Sequence, residues 1–207
     1  MPLIRKSSTS PLPLLSGKDD VLRALFEGHA EERWAAARAA GGVAGGVKAL
    51  GAALCLERDV RVREAILTSL TRMASPDAVE AVLPMMRAEI AAWRTGAIDA
   101  LRAMQQAAWP YLPQLLADPD ADVRLLACEI ARTLPGEKAT ALLCGLIEGE
   151  SEANVCASAI EVLAEVGTAE ALPALERCAA RFQGTRFLEF SIKVTGERIR
   201  SQTAGLA

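Results

Sequence analysis

The stretch Asp118-Pro119-Asp120-Ala121-Asp122-Val123-Arg124-Leu125-Leu126-Ala127-Cys128-Glu129-Ile130-Ala131 decides how the whole chain is read. A proline-containing turn runs into acidic residues, which suit the positive end of a helix dipole. Counting from Arg124, the residues Ala127, Cys128 and Ala131 stand at offsets of 3, 4 and 7. Those offsets put them on one helical face. The same pattern recurs in both directions. The pairs Glu32-Arg33, Val62-Arg63, Trp93-Arg94, Val123-Arg124 and Val155-Cys156 follow one another at 30, 31, 30 and 32 residues. Three past each marker stand Ala36, Ile66, Ala97, Ala127 and Ala159, and four past it Ala37, Leu67, Ile98, Cys128 and Ile160. Seven past it come Ala40, Leu70, Leu101, Ala131 and Leu163.

A second helix follows each first one. Ala78, Ala108, Ala139 and Ala171 mark its start, with Val82, Leu112, Leu143 and Leu175 four residues on. The turns between are explicit. Ser75-Pro76-Asp77 offers an N-cap and a first-turn proline, Gly167-Thr168-Ala169-Glu170 a stop and a cap, and Pro135-Gly136-Glu137 does the same work in the fourth unit. Each unit is therefore expected to be an antiparallel pair of helices, each of about 10–14 residues. One pair cannot bury its apolar face alone, whereas about five in a stack make a continuous core. In the first unit the glycine-rich residues 41–46 replace a clean turn, and the second helix is expected over 47–56. Residues 18–28, with Val21, Leu22, Leu25 and Phe26, read as a short cap helix. Residues 186–200 read as the opposite cap, with Phe187, Phe190 and Val194 on one face and Gly196 as a fraying point.

The predicted architecture is an all-α, right-handed solenoid of about five helical hairpins. It forms one domain over residues 17–200, with repeats over about 31–181, a flexible arm at 1–16 broken by Pro11 and Pro13, and a tail at 201–207. Composition agrees. The chain of 207 residues has 40 alanines and is only 4% aromatic, which suits close helix packing and fits strands poorly.

On these residues the chain resembles bacterial HEAT-repeat proteins, specifically the short HEAT-like repeats of phycobilisome lyases. The matching features are Asp59 with Val62-Arg63, Asp120 and Asp122 with Val123-Arg124, and Ala171-Leu172-Pro173. Trp93 stands where the pattern has Val, and Cys156 where it has Arg. The resemblance implies the solenoid fold. It also implies that Arg63, Arg94 and Arg124, near Asp120 and Asp122, form an internal ladder at the turns between units rather than an anion-binding row. A guanidinium fork suits such turns because it can hold two oxygens.

Several chemistries are expected to be absent. His29 is the sole histidine, so a zinc site of several histidines is excluded, and any histidine-dependent nucleophile would have to act through a residue beside a helix end. Asp118, Asp120 and Asp122 resemble the start of a calcium loop, but Val123 holds the sixth place where glycine is needed. The glycines of residues 41–46 are not followed by Gly-Lys-Ser/Thr, so they read as a turn and not a phosphate cradle, Lys48 notwithstanding. No catalytic residue, metal or cofactor is expected. Five cysteines without CxxC spacing point to free thiols in a reducing compartment, with Cys128 in the core and Cys144 at an accessible edge. No apolar run reaches membrane-spanning length and no signal peptide is evident, so cytoplasm is the expected location. A net charge of −3 and pI near 5.4 argue against nucleic acid.

The expected function is a non-catalytic protein-binding scaffold or adaptor, working through the face made by the second helices. Positions 2, 5, 6 and 9 past each alanine marker should line it: Glu80, Leu83, Pro84 and Arg87, then Pro110, Pro113, Gln114 and Ala117, then Ala141, Cys144, Gly145 and Glu148. The row is apolar and small at its centre. Residues 110–176 hold twelve acids against three bases, so a partner protein or peptide with apolar and basic residues is expected. Trp34 is expected to be partly exposed. Trp109 and Tyr111, flanking Pro110, read equally as binding anchors or as filler. Two alternatives are a lyase subunit handling a linear tetrapyrrole and a HEAT-like DNA glycosylase. Both need cations on that face, where only Arg87 stands.

Overall fold

The computed structural model describes Leu15 and residues 17–204. The expected arm at 1–16 lies outside the described residues except for Leu15, which packs against the core, and residues 205–207 lie outside them too. Every described element is a helix: α1 (Lys18–Glu27), α2 (Ala30–Ala40), α3 (Gly46–Leu56), α4 (Val60–Met73), α5 (Pro76–Val82), α6 (Ala91–Ala103), α7 (Gln105–Ala108), α8 (Leu112–Leu116), α9 (Ala121–Ala131), α10 (Gly136–Gly149), α11 (Ala153–Val166), α12 (Leu172–Arg181) and α13 (Arg186–Ala204). Three short 3-10 segments, Leu83–Arg87, Trp109–Tyr111 and Ala169–Ala171, extend the second helices of their units. The protein is an α-solenoid of the HEAT-like kind.

First helices stack as one layer, α2 on α4, α4 on α6, α6 on α9, α9 on α11, and α11 on the cap α13. Second helices make the other layer, with α3 on α5, α5 on α7, and α10 on α12. Between α8 and α10 the backbones approach closely at few points. Most of the residues at offsets 3, 4 and 7 fill the space between layers: Ala36, Ala37, Ala40, Ile66, Leu70, Ala97, Leu101, Ala127, Cys128, Ala131, Ala159, Ile160 and Leu163 are fully buried, while Leu67 and Ile98, both at offset 4, are only half-buried. Alanine at so many of these places lets helices approach closely and leaves little volume for aromatic rings.

Caps set the helix starts. Asp59 accepts from Arg61 N and Val62 N, Asp120 from Asp122 N, and Ser75 from Ala78 N ahead of Pro76. His29 belongs to a capping box, its backbone N donating to Glu32 Oε2 at 2.7 Å. The glycine run is a close-approach turn. Gly45 has φ of 81°, and a Cβ on Gly46 would sit 1.7 Å from Ala40 O.

The second helices depart from expectation in three units. They are not continuous rods of 10–14 residues. The helix after Ser75 passes into 3-10 form at Pro84, and its counterpart is divided among α7, the segment holding Pro110, and α8 with Pro113. The fifth unit starts in 3-10 form before Pro173. Proline has no N–H to donate and crowds the carbonyl four residues back, so the chain tightens there. α3 and α10, free of proline, run unbroken. The cap α13 continues through Gly196 to Ala204, beyond the expected end at residue 200. Its buried face is Leu188, Ile192, Thr195 and Ile199; Phe187, Phe190 and Val194 point outward.

Candidate functional site: the turns and groove of the second-helix layer

The arginine positions are joints between units. Arg124 grips the Glu150 carboxylate with two bonds, Nε to Oε2 at 2.6 Å and Nη2 to Oε1 at 2.9 Å, while Nη1 donates to Asp118 O at 2.8 Å. Arg33, at the same phase, grips Glu57 at 2.7 and 3.0 Å and donates to Gly28 O. Arg94 reaches only carbonyls, Ala88 O at 2.7 Å and Glu89 O at 3.0 Å. Arg63 donates to Glu57 O at 2.5 Å and lies over the Trp93 ring, 3.9 Å from its centroid. Its Nε is buried with no hydrogen-bond partner.

The residue six places before each marker organises these joints: Glu57, Ala88, Asp118 and Glu150. Its carbonyl serves the marker side chain that follows. Its carboxylate, where there is one, serves an arginine from the unit before and also caps its own turn, as when Glu57 Oε1 accepts from Asp59 N at 2.8 Å. Asp120 and Asp122 are therefore not the acids of the ladder. Asp120 spends its carboxylate on the backbone N of Asp122 at 2.9 Å, an N-cap role, and Asp122 is exposed. In the fifth unit Cys156 Sγ lies 3.9 Å from Glu150 O, and Arg181 from α12 donates to the same oxygen at 3.1 Å. An arginine from another helix thus replaces the missing one. Arg124 holds the Glu150 carboxyl below the usual carboxylate range, as Arg33 does for Glu57.

Two clefts of about 390 Å³ each run along the ends of the second helices and share Asp118 as a wall. The first lies between the second and third units, lined by Glu80, Leu83, Arg87, Tyr111 and Gln114 among others. The second lies in the open seam between α8 and α10, lined by Ala117, Gly145, Gly149, Glu150 and Ser151 among others. Pro110, Pro113, Gln114, Ala117, Ala141, Gly145 and Glu148 are exposed, while Leu83 and Cys144 are half-buried and pack against the core.

The groove's charges are mostly matched within the chain. Arg87 pairs with Asp118 and holds its carboxyl low, Glu148 pairs with Arg177, and Tyr111 Oη lies 3.0 Å from Glu80 Oε1. Trp109 is half-buried and donates its indole N–H to Thr133 Oγ1 at 3.0 Å, so it packs between units instead of facing the groove. Trp34 lies in the other layer, in a separate cleft with Arg61 and Arg72, its ring under Arg38. Burial pushes the Cys144 thiol up to about 11 and the Cys128 thiol up to about 12, which leaves both protonated at neutral pH. Among the described residues no group of three His, Cys, Asp or Glu could hold a metal ion, and no helix is long and apolar enough to cross a membrane.

The family model for HEAT repeats matches residues 109–185. Among solved structures, the chain is similar to an archaeal HEAT-like repeats protein from Thermococcus onnurineus NA1, at 14% identity and TM-score 0.49, covering 88% of this chain and 87% of that one. It is also similar to a designed armadillo repeat protein solved with the peptide (KR)4, at 14% identity and TM-score 0.45, covering 86% of this chain and 98% of that one. No curated protein matches the chain.

Proposed function

We propose that the protein is a non-catalytic adaptor whose groove, from Leu83 past Asp118 to Gly149, takes an extended peptide carrying apolar and basic residues. The observation that carries this is Gly145. It sits within α10 on the open seam, where an added Cβ would meet nothing within 4 Å. A glycine inside a helix costs about 1 kcal/mol relative to alanine, and the fold obtains no packing in return. Together with exposed Ala117, Ala141 and Gly149 it leaves a smooth floor against which a backbone can lie closely. Glu80, which lines the first cleft and meets Tyr111 Oη but no cation among the described residues, favours a basic occupant. A tetrapyrrole carboxylate or a nucleic-acid phosphate would want free cations here, and the groove's Arg87 is engaged by Asp118.

Gly145→Arg tests the reading. Leu83 and Cys144 are poor places for a charge because both pack on the core, whereas Gly145 is open. On an array of basic and apolar peptides, the wild type should bind a subset and the variant should lose that subset while its melting temperature holds or rises. Binding that persists in a folded Gly145→Arg protein removes the groove from consideration. An array on which the wild type binds nothing removes the peptide reading itself.

A further inference from the structure

We infer that the outer face of α13 is a homodimer interface, taking α13 of a second copy in antiparallel orientation. The large apolar side chains left exposed among the described residues are Phe26, Leu56, Val60, Ile90, Phe187, Phe190 and Val194. Three of them share α13. Phe187, Phe190 and Val194 are 50%, 69% and 43% exposed and follow at spacings of 3 and 4, one continuous stripe. At about 1.5 Å rise per residue the stripe is about 10 Å long. The opposite face of α13, with Leu188, Ile192 and Ile199, already seals the last unit. The outer side of α13 carries this stripe where an uncovered amphipathic helix would carry polar residues.

The charges beside the stripe identify the occupant. Arg186, Glu189, Lys193 and Glu197 line one edge and alternate in sign along the helix. Two helices related by a two-fold axis across their direction set the same edge against itself, reversed. Reversal turns this alternation into its complement. With the axis level with residue 191, Arg186 faces the partner subunit's Glu197, and Glu189 faces the partner subunit's Lys193, each contact made twice. The same register sets Phe187 one residue from the partner subunit's Val194 and leaves the two copies of Phe190 two residues apart, about 3 Å along the helix and within reach of ring contact. A parallel pairing would set this edge beside the opposite one, which holds Ser191 and Arg198, and would leave the alternation unmatched. Local contacts leave the pattern in place: Glu189 Oε1 accepts from Gly184 N at 2.8 Å, and Lys193 Nζ lies 4.0 Å from Glu197 Oε1. A single register satisfying apolar and charged positions together is the self-complementarity that an isologous contact requires.

Light scattering on the full chain across micromolar concentrations tests this. The expected mass is twice 21.9 kDa for the wild type. Phe190→Glu should give a monomer with unchanged helical circular dichroism, because the side chain is exposed. Glu197→Arg should weaken dimerisation at least about tenfold, and adding Arg186→Glu to it should restore dimerisation, since the pair is swapped in both copies. A monomeric wild type overturns the inference. So does a dimer indifferent to Phe190→Glu, or a mass that climbs past the dimer and falls with Phe26→Glu, which would mark head-to-tail stacking.

Discussion

Arg63 and Arg124 hold the same place in two units and meet different surroundings. Arg124 finds Glu150, whose side chain is 3% exposed, and makes two bonds to it along with bonds to two turn carbonyls. Arg63 finds Ala88 at the matching place, which offers no carboxylate, and settles on the face of Trp93. A buried carboxylate and an aromatic face both answer a guanidinium, by different physics: the first through charge-assisted bonds, the second through the ring quadrupole and shared burial. The departure of Trp93 from the repeat pattern thus has a local cause. The ring covers a cation that its own unit leaves without an acid.

The largest effect should come from Arg124→Ala. It strands the Glu150 carboxylate in the turn, and a loss of about 3–5 kcal/mol in urea unfolding is expected. This joint also sets a pH dependence. The Glu150 carboxyl is depressed in the folded chain below its ordinary 4.5 by the Arg124 guanidinium. Its contribution is therefore complete above about pH 4.5 and fades as pH falls through the folded value. Glu57, depressed by Arg33, adds in the same direction. Wild-type stability should decline below about pH 4.5, and Glu150→Gln should flatten that decline. An unchanged slope in the variant would assign the acid sensitivity elsewhere.

Trp93→Ala should cost less, about 2–3 kcal/mol, because the ring is half-buried and loses both packing and the stacked cation. If Arg63→Ala in the Trp93→Ala background costs as much as it does alone, the stack is not a coupled unit. Arg94→Ala removes bonds to carbonyls alone and should cost about 1 kcal/mol. The smallest change expected is a gain. Ala88→Glu supplies Arg63 with the kind of acid that Arg33 and Arg124 have, and a rise of about 0.5–1 kcal/mol should appear in thermal unfolding. A fall would mean that Trp93 already fills the space where the carboxylate has to sit.

The repeat period, the buried offsets and the caps were legible in the chain because each depends on contacts within one helix or across one turn. A 3.6-residue period and an N-cap are local physics. Among the positions expected to face outward on the second helices, Pro110, Pro113, Gln114, Ala117, Ala141, Gly145 and Glu148 are exposed, whereas Leu83 and Cys144 are drawn half into the core. Which acid serves which arginine was not legible. Asp120, four residues before Arg124, is nearer in sequence than Glu150, 26 residues after it, yet its short side chain is consumed by its own helix start. Proline's effect on the second helices could have been read from Pro84, Pro110 and Pro113, but the strong apolar period hid it. The groove depended on tertiary structure most of all. Exposure of Trp109, freedom of Arg87 and accessibility of Cys144 are each set by residues about a repeat away, Thr133, Asp118 and the core. So is the direction of α13: its sequence has two apolar stripes, and only packing against α11 and α12 decides that Leu188, Ile192 and Ile199 turn inward while Phe187, Phe190 and Val194 face out. Periodicity alone tells where a side chain points on its helix, and stacking of one unit on the next decides what that side chain meets.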